Sequence, residues 1–149
     1  MIKKHLLPLL LVPALFLQGC SFLGGVSDSL SYTNETVAYI NEAADFSQQL
    51  PELTQQALSD PAALDRLTAE LQAMQAEITA FKDLQAPEFA SEIDQQLTAY
   101  SDTLNTQISG LLKQAEAGAV SLQALEQSQI MQTASQITEI LDQVKQLGS

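Results

Sequence analysis

Several residue types that carry enzyme chemistry are rare or missing in this chain. Its 149 residues include no tryptophan, one cysteine and one histidine, and His5 lies in an N-terminal segment that we expect to be removed. Without histidine, the remaining chain cannot form Ser–His or Cys–His nucleophilic systems or a histidine-bound zinc site. GxGxxG and P-loop motifs are also missing. The sequence therefore predicts no catalytic residue, no cofactor and no bound metal.

Basic residues are also scarce in this chain. Two of the six basic residues, Lys3 and Lys4, precede Cys20, whereas all eighteen acidic residues follow it. The chain from residue 20 onward thus carries four cations against eighteen carboxylates, a formal charge of −14. Such a surface repels nucleic acid and anionic lipid headgroups, so we expect no nucleic-acid partner. A solvated acidic surface is the simplest interpretation, and attraction of a basic partner or a cation is the alternative.

Long apolar runs are limited to one stretch near the N-terminus. Residues 6–17 read LLPLLLVPALFL and follow a short basic start that ends at His5. A membrane-spanning helix needs roughly 20 apolar residues, so this shorter run is better interpreted as the hydrophobic part of a secretory signal.

The tetrapeptide Leu17-Gln18-Gly19-Cys20 comes directly after that run and looks like the lipobox of bacterial lipoprotein precursors. The resemblance implies cleavage between Gly19 and Cys20 and a diacylglyceryl group, with its palmitate-type chains, on the Cys20 thiol. Gln18 departs from the commoner serine or alanine. Since Cys20 has no second cysteine to pair with, a disulfide is excluded within the chain. We expect residues 1–19 to be a signal peptide, residues 20–25 a lipidated tether, and the product to be anchored on the extracytoplasmic face of the cell membrane.

The remaining residues, 26–149, have the composition and periodicity of helices. Alanine, leucine, glutamine and glutamate dominate, and strand-like runs of β-branched residues are missing. A first helix is predicted over residues 26–49, interrupted at Pro51 and followed by a short helix over residues 51–59. Its apolar stripe is the poorest in the chain and comprises Val26, Leu30, Thr33, Val37, Ile40 and Ala44, with Tyr39 and Phe46 flanking it.

Three further helices are predicted from caps and stripes. Asp60 and Pro61 start the second, whose apolar residues recur every three or four positions: Leu64, Leu67, Leu71, Met74, Ile78 and Phe81. Pro87 starts the third, with the stripe Phe89, Ile93, Leu97, Tyr100, Leu104, Ile108 and Leu111, and Gly118 as its C-cap. Ser121 caps a last helix with the stripe Ile130, Ala134, Ile137, Leu141 and Val144.

Four long amphipathic helices with short connections predict an all-α fold, an up-and-down antiparallel helical bundle. The first helix leaves an alternative open, because its poor stripe is also compatible with loose packing or with exchange between molecules.

Few side chains remain as candidates for chemistry. Two carboxylate pairs at helical spacing, Glu88 with Glu92 and Glu139 with Asp142, are typical of a solvated face, and a hard-cation or acid–base site is the alternative. Tyr32, Tyr39 and Tyr100 are expected to pack at the core with their hydroxyls in water, or else to line a small pocket. Eighteen glutamines after Cys20 supply uncharged polar helix faces.

The whole chain resembles a family of small lipoproteins of unknown function from Bacillus-like Gram-positive bacteria. The resemblance is carried by residues 19–23 (GCSFL), 39–42 (YINE), 60–61 (DP), 86–88 (APE), 141–143 (LDQ) and 147–148 (LG). It implies a membrane-anchored extracytoplasmic location and transfers no catalytic residue. The sequence thus favours a non-enzymatic envelope interaction module with a protein partner that it does not identify. The alternative is a lipoprotein that binds a small ligand or a cation between its helices.

Overall fold

Six α-helices and one 3₁₀ turn make up the part of the chain that the structure, a computed structural model, describes: residues 21–148, with side chains from residue 27. The α-helices are α1 (Ser21–Ala57), α2 (Pro61–Lys82), α3 (Ser91–Glu116), α4 (Leu122–Ser128), α5 (Ile130–Glu139) and α6 (Leu141–Leu147), and the 3₁₀ turn is Glu88–Ala90. The all-α prediction is confirmed. Residues 1–20, which include the predicted signal peptide, Gly19 and Cys20, lie outside the described residues.

The helices form an up-and-down bundle in which α4, α5 and α6 together take the place of a fourth long helix. Helix α1 packs against α2 on one side and against α5 and α6 on the other, while α3 packs against α2 and α5. This order places α1 diagonally opposite α3 across the core. Hydrogen bonds from Tyr32 to Asp94 and between Tyr39 and Ser101 join these two helices at the same residue offset, so α1 and α3 run parallel.

The predicted interruption at Pro51 is wrong, since α1 continues through it to Ala57. Leu50 and Thr54, on either side of the proline, are both fully buried. Packing on both sides therefore holds the chain in one helix, although Pro51 cannot donate to the Ser47 carbonyl. The helix also begins at Ser21 rather than at residue 26, so residues 21–25, predicted as a tether, have helical backbone.

The buried face of α1 also differs from the predicted stripe. Leu30 is 46% exposed and Val37 is only partly buried. Thr33 and Ile40 of the predicted stripe are buried. The other buried positions recur every three or four residues along an adjacent line: Tyr32, Thr36, Tyr39, Ala43, Phe46, Leu50 and Thr54. Because an aromatic ring buries more area than leucine or valine, the helix is turned so that Tyr32, Tyr39 and Phe46 face the core. The alternative of a loosely packed first helix does not describe this chain, since α1 contacts both of its neighbours in the bundle.

The start of α2 is as predicted. The Asp60 carboxylate accepts a hydrogen bond of 2.9 Å from the Ala62 amide, and Pro61 occupies the first turn. By contrast, α3 begins at Ser91 after the 3₁₀ turn, and Phe89, predicted in its apolar stripe, is 54% exposed. A 3₁₀ turn advances each residue by about 120° rather than 100°, which rotates Phe89 away from the face that Leu97 and Leu104 bury.

The single last helix predicted from Ser121 is divided at Gln129, whose φ of 59° is left-handed. Buried Leu125 and Ile130 lie on either side of this break. In a continuous helix five residues turn about 500°, which would place these two side chains about 140° apart. Both reach the core because the left-handed backbone of Gln129 interrupts the helix between them. No described helix is long and apolar enough to cross a membrane.

Candidate functional site

The candidate site is a groove between the N-terminal half of α1 and the C-terminal end of α2, which we call the α1–α2 groove. It consists of two adjoining clefts of about 200 and 330 Å³ that share Glu35 and Leu84. Its remaining lining residues are Asp28, Ser31, Tyr32, Ala38, Tyr39, Glu77, Ala80, Phe81 and Gln85. Because α1 and α2 carry small Ala38 and Ala80 here, the surface between the helices is recessed rather than filled.

Aromatic side chains form the floor of this groove. The rings of Tyr39 and Phe81 stack with centroids 4.5 Å apart and an angle of 8° between their planes. The Tyr39 hydroxyl lies 2.6 Å from Ser101 Oγ, and Ser101 donates its only hydrogen to the Leu97 carbonyl, so Tyr39 is the donor of the pair. Burial raises the pKa of Tyr39 to about 12, so this hydroxyl stays neutral at physiological pH. The floor is therefore rigid and uncharged.

Tyr32 closes the floor at the end of the groove nearer to the N-terminus of α1. Its hydroxyl donates a hydrogen bond of 2.9 Å to Asp94 on α3, which ties the two diagonal helices together. Burial, and then the hydrogen bond and charge of Asp94, raise the pKa of Tyr32 above its ordinary range. Tyr32 thus remains a donor to the carboxylate at any physiological pH.

The rim of the groove is acidic. Asp28 and Glu35 line it from α1 and Glu77 lines it from α2, while no lysine or arginine is among its lining residues. Ser31 donates a hydrogen bond of 2.8 Å to Glu35, which restricts that carboxylate to the groove side of its helix. The C-terminal end of the α2 dipole adds negative potential at Ala80 and Phe81. Lys82 contributes little compensation here because it pairs with Asp102 on α3.

The tyrosines predicted at the core edge have a mixed outcome. Tyr32 and Tyr39 are both buried and line the groove, but their hydroxyls bind Asp94 and Ser101 rather than water, so that part of the expectation is wrong. Tyr100 is half-buried against the core and is not among the residues that line the groove.

The carboxylate pairs singled out in the sequence lie away from this groove. Glu88 is in the 3₁₀ turn and Glu92 in the first turn of α3, while Glu139 and Asp142 are separated by the junction of α5 and α6. All four are exposed. Nowhere in residues 21–148 do three histidine, cysteine or acidic side chains come together in a way that would hold a metal ion.

Sequence reasoning missed the acidic rim. Glu35 and Glu77 are separated by most of two helices, and neither stands out locally from the other acidic residues. The available signal was the heptad-like recurrence of Tyr32, Tyr39 and Phe46, which identifies the face of α1 that meets α2. The carboxylates on the edge of that face are the ones that border the groove.

Comparisons with known proteins identify a family of unknown function and a similar lipoprotein. The model of a family of unknown function, DUF6376, matches residues 32–147, which include every buried side chain described above. The chain is similar to the uncharacterized lipoprotein YybP of Bacillus subtilis (strain 168), with 38% identity over 130 residues, or 87% of this chain and 88% of that protein. No solved structure matches the fold.

Proposed function

Because this chain belongs to the DUF6376 family of unknown function and is similar to a Bacillus lipoprotein, we propose that it is an extracytoplasmic lipoprotein anchored by a diacylglyceryl group on Cys20. We propose further that it acts as a non-enzymatic interaction module of the cell envelope, and that the α1–α2 groove receives a basic helical segment of a partner protein. The observation that carries this second step is the aromatic floor together with a rim whose charged residues are all acidic.

The anchor is supported by the sequence around the cleavage site and by the start of α1. Residues 1–19 act as the signal peptide in this proposal, Cys20 carries the lipid, and the bundle follows. Since the domain carries a formal charge of −14, headgroup attraction does not hold it at the bilayer. Two acyl chains suffice for stable attachment, at about 0.8 kcal/mol per buried methylene.

The position of the groove favours a partner close to the membrane. Helix α1 begins at Ser21, and Asp28 lies at the near end of the groove. At a rise of about 1.5 Å per residue, the seven steps from Ser21 to Asp28 span about 11 Å along the helix. A partner segment that lies on the membrane surface would therefore reach the groove without leaving the bilayer.

The chemistry of the groove favours lysine or arginine on an amphipathic helix. A partner helix would lay its apolar face on Ala38, Ala80 and Leu84, above the buried Tyr39–Phe81 stack. Its basic side chains would lie against Asp28, Glu35 and Glu77. The long aliphatic stems of lysine and arginine would cover the apolar floor while their charged ends reach the rim. Opposite charges at such a rim accelerate association more than they raise affinity.

The anchor is tested with Cys20→Ala in the native host. We expect wild-type protein in the membrane fraction, labelled by a fatty-acid analogue, and the variant unlabelled and released from the membrane. A variant that stays with the membrane as firmly as wild type would show that lipid on Cys20 is not the attachment.

The groove is tested with a defined probe, a fluorescent amphipathic peptide of leucine and lysine, added to the mature lipoprotein in phosphocholine nanodiscs. We compare Glu35→Gln/Glu77→Gln with a charge-matched control, Glu42→Gln/Glu126→Gln, whose exposed residues do not line the groove. Loss of two rim charges should weaken binding about tenfold, or about 1.4 kcal/mol. Equal loss in both double variants would mean that net charge alone attracts the peptide, and would exclude the groove as the binding site.

A further inference from the structure

A second cleft lies on the other side of the bundle, between α3 and α4, and differs from the α1–α2 groove in carrying no charged residue. It has a volume of about 310 Å³ and is lined by Gln107, Gly110, Leu111, Gln114, Ala124, Gln127 and Ser128. We call it the glutamine cleft. Three side-chain amides provide donors and acceptors here, while the Ser128 hydroxyl is occupied within the protein, donating to the Leu125 carbonyl and accepting from the Ile130 amide. An uncharged lining with several amides suits an uncharged polar ligand.

Gln107, a half-buried lining residue, has one acceptor atom without a partner in the protein. Its Oε1 atom is buried and accepts no hydrogen bond. A buried acceptor without a partner costs about 1–3 kcal/mol, which most proteins avoid. Gln114 is half-buried and Gln127 is exposed, so their side-chain amides are accessible to a ligand from solvent. A donor that enters the cleft would give the Gln107 amide, after rotation of its side chain, the partner it lacks.

Gly110 is a second residue at this cleft that lowers the stability of the free protein. It lies inside α3, where glycine is about 1 kcal/mol less favourable than alanine. A Cβ atom added at Gly110 would meet nothing within 4 Å, so packing within the bundle does not require a glycine. The lack of a side chain instead leaves the α3 backbone open to close approach from the cleft.

The backbone beside the cleft is also strained. Gln129, which follows the lining residue Ser128, has a φ of 59°, a conformation that glycine adopts at lower cost. The burial of Leu125 and Ile130 accounts for this strain, whereas packing within the bundle does not account for the unpaired Gln107 acceptor or for glycine at position 110. Unfavourable residues of that kind, close together, are typical of binding sites.

From these observations we propose that the glutamine cleft binds an uncharged, hydroxyl-rich ligand of the neutral-sugar type. Each sugar hydroxyl both donates and accepts a hydrogen bond, which matches the paired oxygen and nitrogen of the Gln107, Gln114 and Gln127 amides. The C–H face of the sugar ring would pack on half-buried Ala124, with its edge against the exposed backbone at Gly110. Charged ligands are disfavoured because no lining residue supplies an opposite charge. The site is independent of the α1–α2 groove and of the partner proposed for it.

The test uses the mature lipoprotein in phosphocholine nanodiscs, which contain no sugar, and titrates it calorimetrically with cellotetraose and chitotetraose. We expect saturable binding of at least one, with a dissociation constant in the millimolar range. Tighter binding of chitotetraose, which carries N-acetyl groups, would indicate that the cleft contacts an amide of the ligand as well as its hydroxyls. Lack of saturable binding for both would overturn the proposal.

Two variants separate binding from folding. Gln107→Leu removes the unpartnered oxygen and Gly110→Ala removes a helix glycine, so each should raise the midpoint of thermal unfolding while weakening sugar binding at least tenfold. Gln132→Leu, on the exposed surface of α5 and outside the cleft, should leave binding unchanged. Binding that is unaltered in the first two variants would place the sugar elsewhere and overturn the assignment to this cleft.

Discussion

The hydroxyl of Tyr39 donates a 2.6 Å hydrogen bond to Ser101 Oγ across the bundle core, and so joins two helices that do not follow one another in the chain. The same Tyr39 ring stacks on Phe81 of α2. One side chain of α1 therefore sets the relative positions of three helices, and with them the floor of the α1–α2 groove.

Tyr39→Phe keeps the aromatic stack and removes only the hydrogen bond to Ser101. We expect it to lower the free energy of unfolding by about 1 kcal/mol, the usual net value of a buried hydrogen bond. Ser101→Ala and the double variant complete a cycle measured by urea denaturation. A coupling energy of about 0.5–1.5 kcal/mol is expected, whereas strictly additive effects would mean that the bond does not contribute to stability.

Alkaline pH should destabilise the bundle through its buried tyrosines. Burial raises the pKa of Tyr39 to about 12, against an ordinary value near 10. Between these values the unfolded chain has already lost the proton that the folded chain keeps, so stability is complete below pH 10 and falls as the pH rises toward 12. Tyr32, whose pKa is also raised, acts in the same direction.

The measurement is the urea midpoint of wild type at pH 8 and at steps above pH 10, with tyrosinate absorbance recorded in parallel. Tyr32→Phe/Tyr39→Phe should be less stable at pH 8 but lose less stability as the pH rises. An equal fall in both proteins would assign the alkaline effect to other groups.

The buried face of α1 is testable with two leucines of the same helix. Leu50 is fully buried, and Leu50→Ala should cost about 2–5 kcal/mol in unfolding free energy. Leu30 is 46% exposed, and Leu30→Ala should cost less than about 1 kcal/mol. Similar costs at both positions would show that the helix face deduced from the sequence, with Leu30 inward, is populated in solution.

Substitution by glycine should change the stability of the protein in opposite directions at Gln129 and at Gln132. Its left-handed backbone favours glycine, so Gln129→Gly should stabilise the protein by about 1 kcal/mol. Gln132→Gly, on the exposed face of α5, should instead destabilise it by about 1 kcal/mol, because its backbone is helical. If Gln129→Gly were destabilising as well, α4 and α5 would form one continuous helix in solution.

Short-range signals in the sequence predicted the helices that depend on them. Asp60 and Pro61 start α2 as expected because a cap is formed by residues that are adjacent in the chain. The stripe from Leu67 to Phe81 is buried as predicted, since its regular spacing allows only one face. Helix content, the bundle fold and the acidic character of the surface follow from composition and periodicity alone.

The tertiary structure alone decided where the buried face of α1 is centred, because contact with α2 and α3 turns the aromatic side chains inward. Ile40 of the predicted stripe is buried beside Tyr39, whereas Leu30 is exposed. It also decided the break at Gln129, because Leu125 and Ile130 reach the core together only if the helix is interrupted. The acidic rim also depends on the tertiary structure, because Glu35 and Glu77 line one cleft only where α1 and α2 pack together. Local patterns determine helices, whereas the packing of helices distant in sequence determines which of their side chains share a surface.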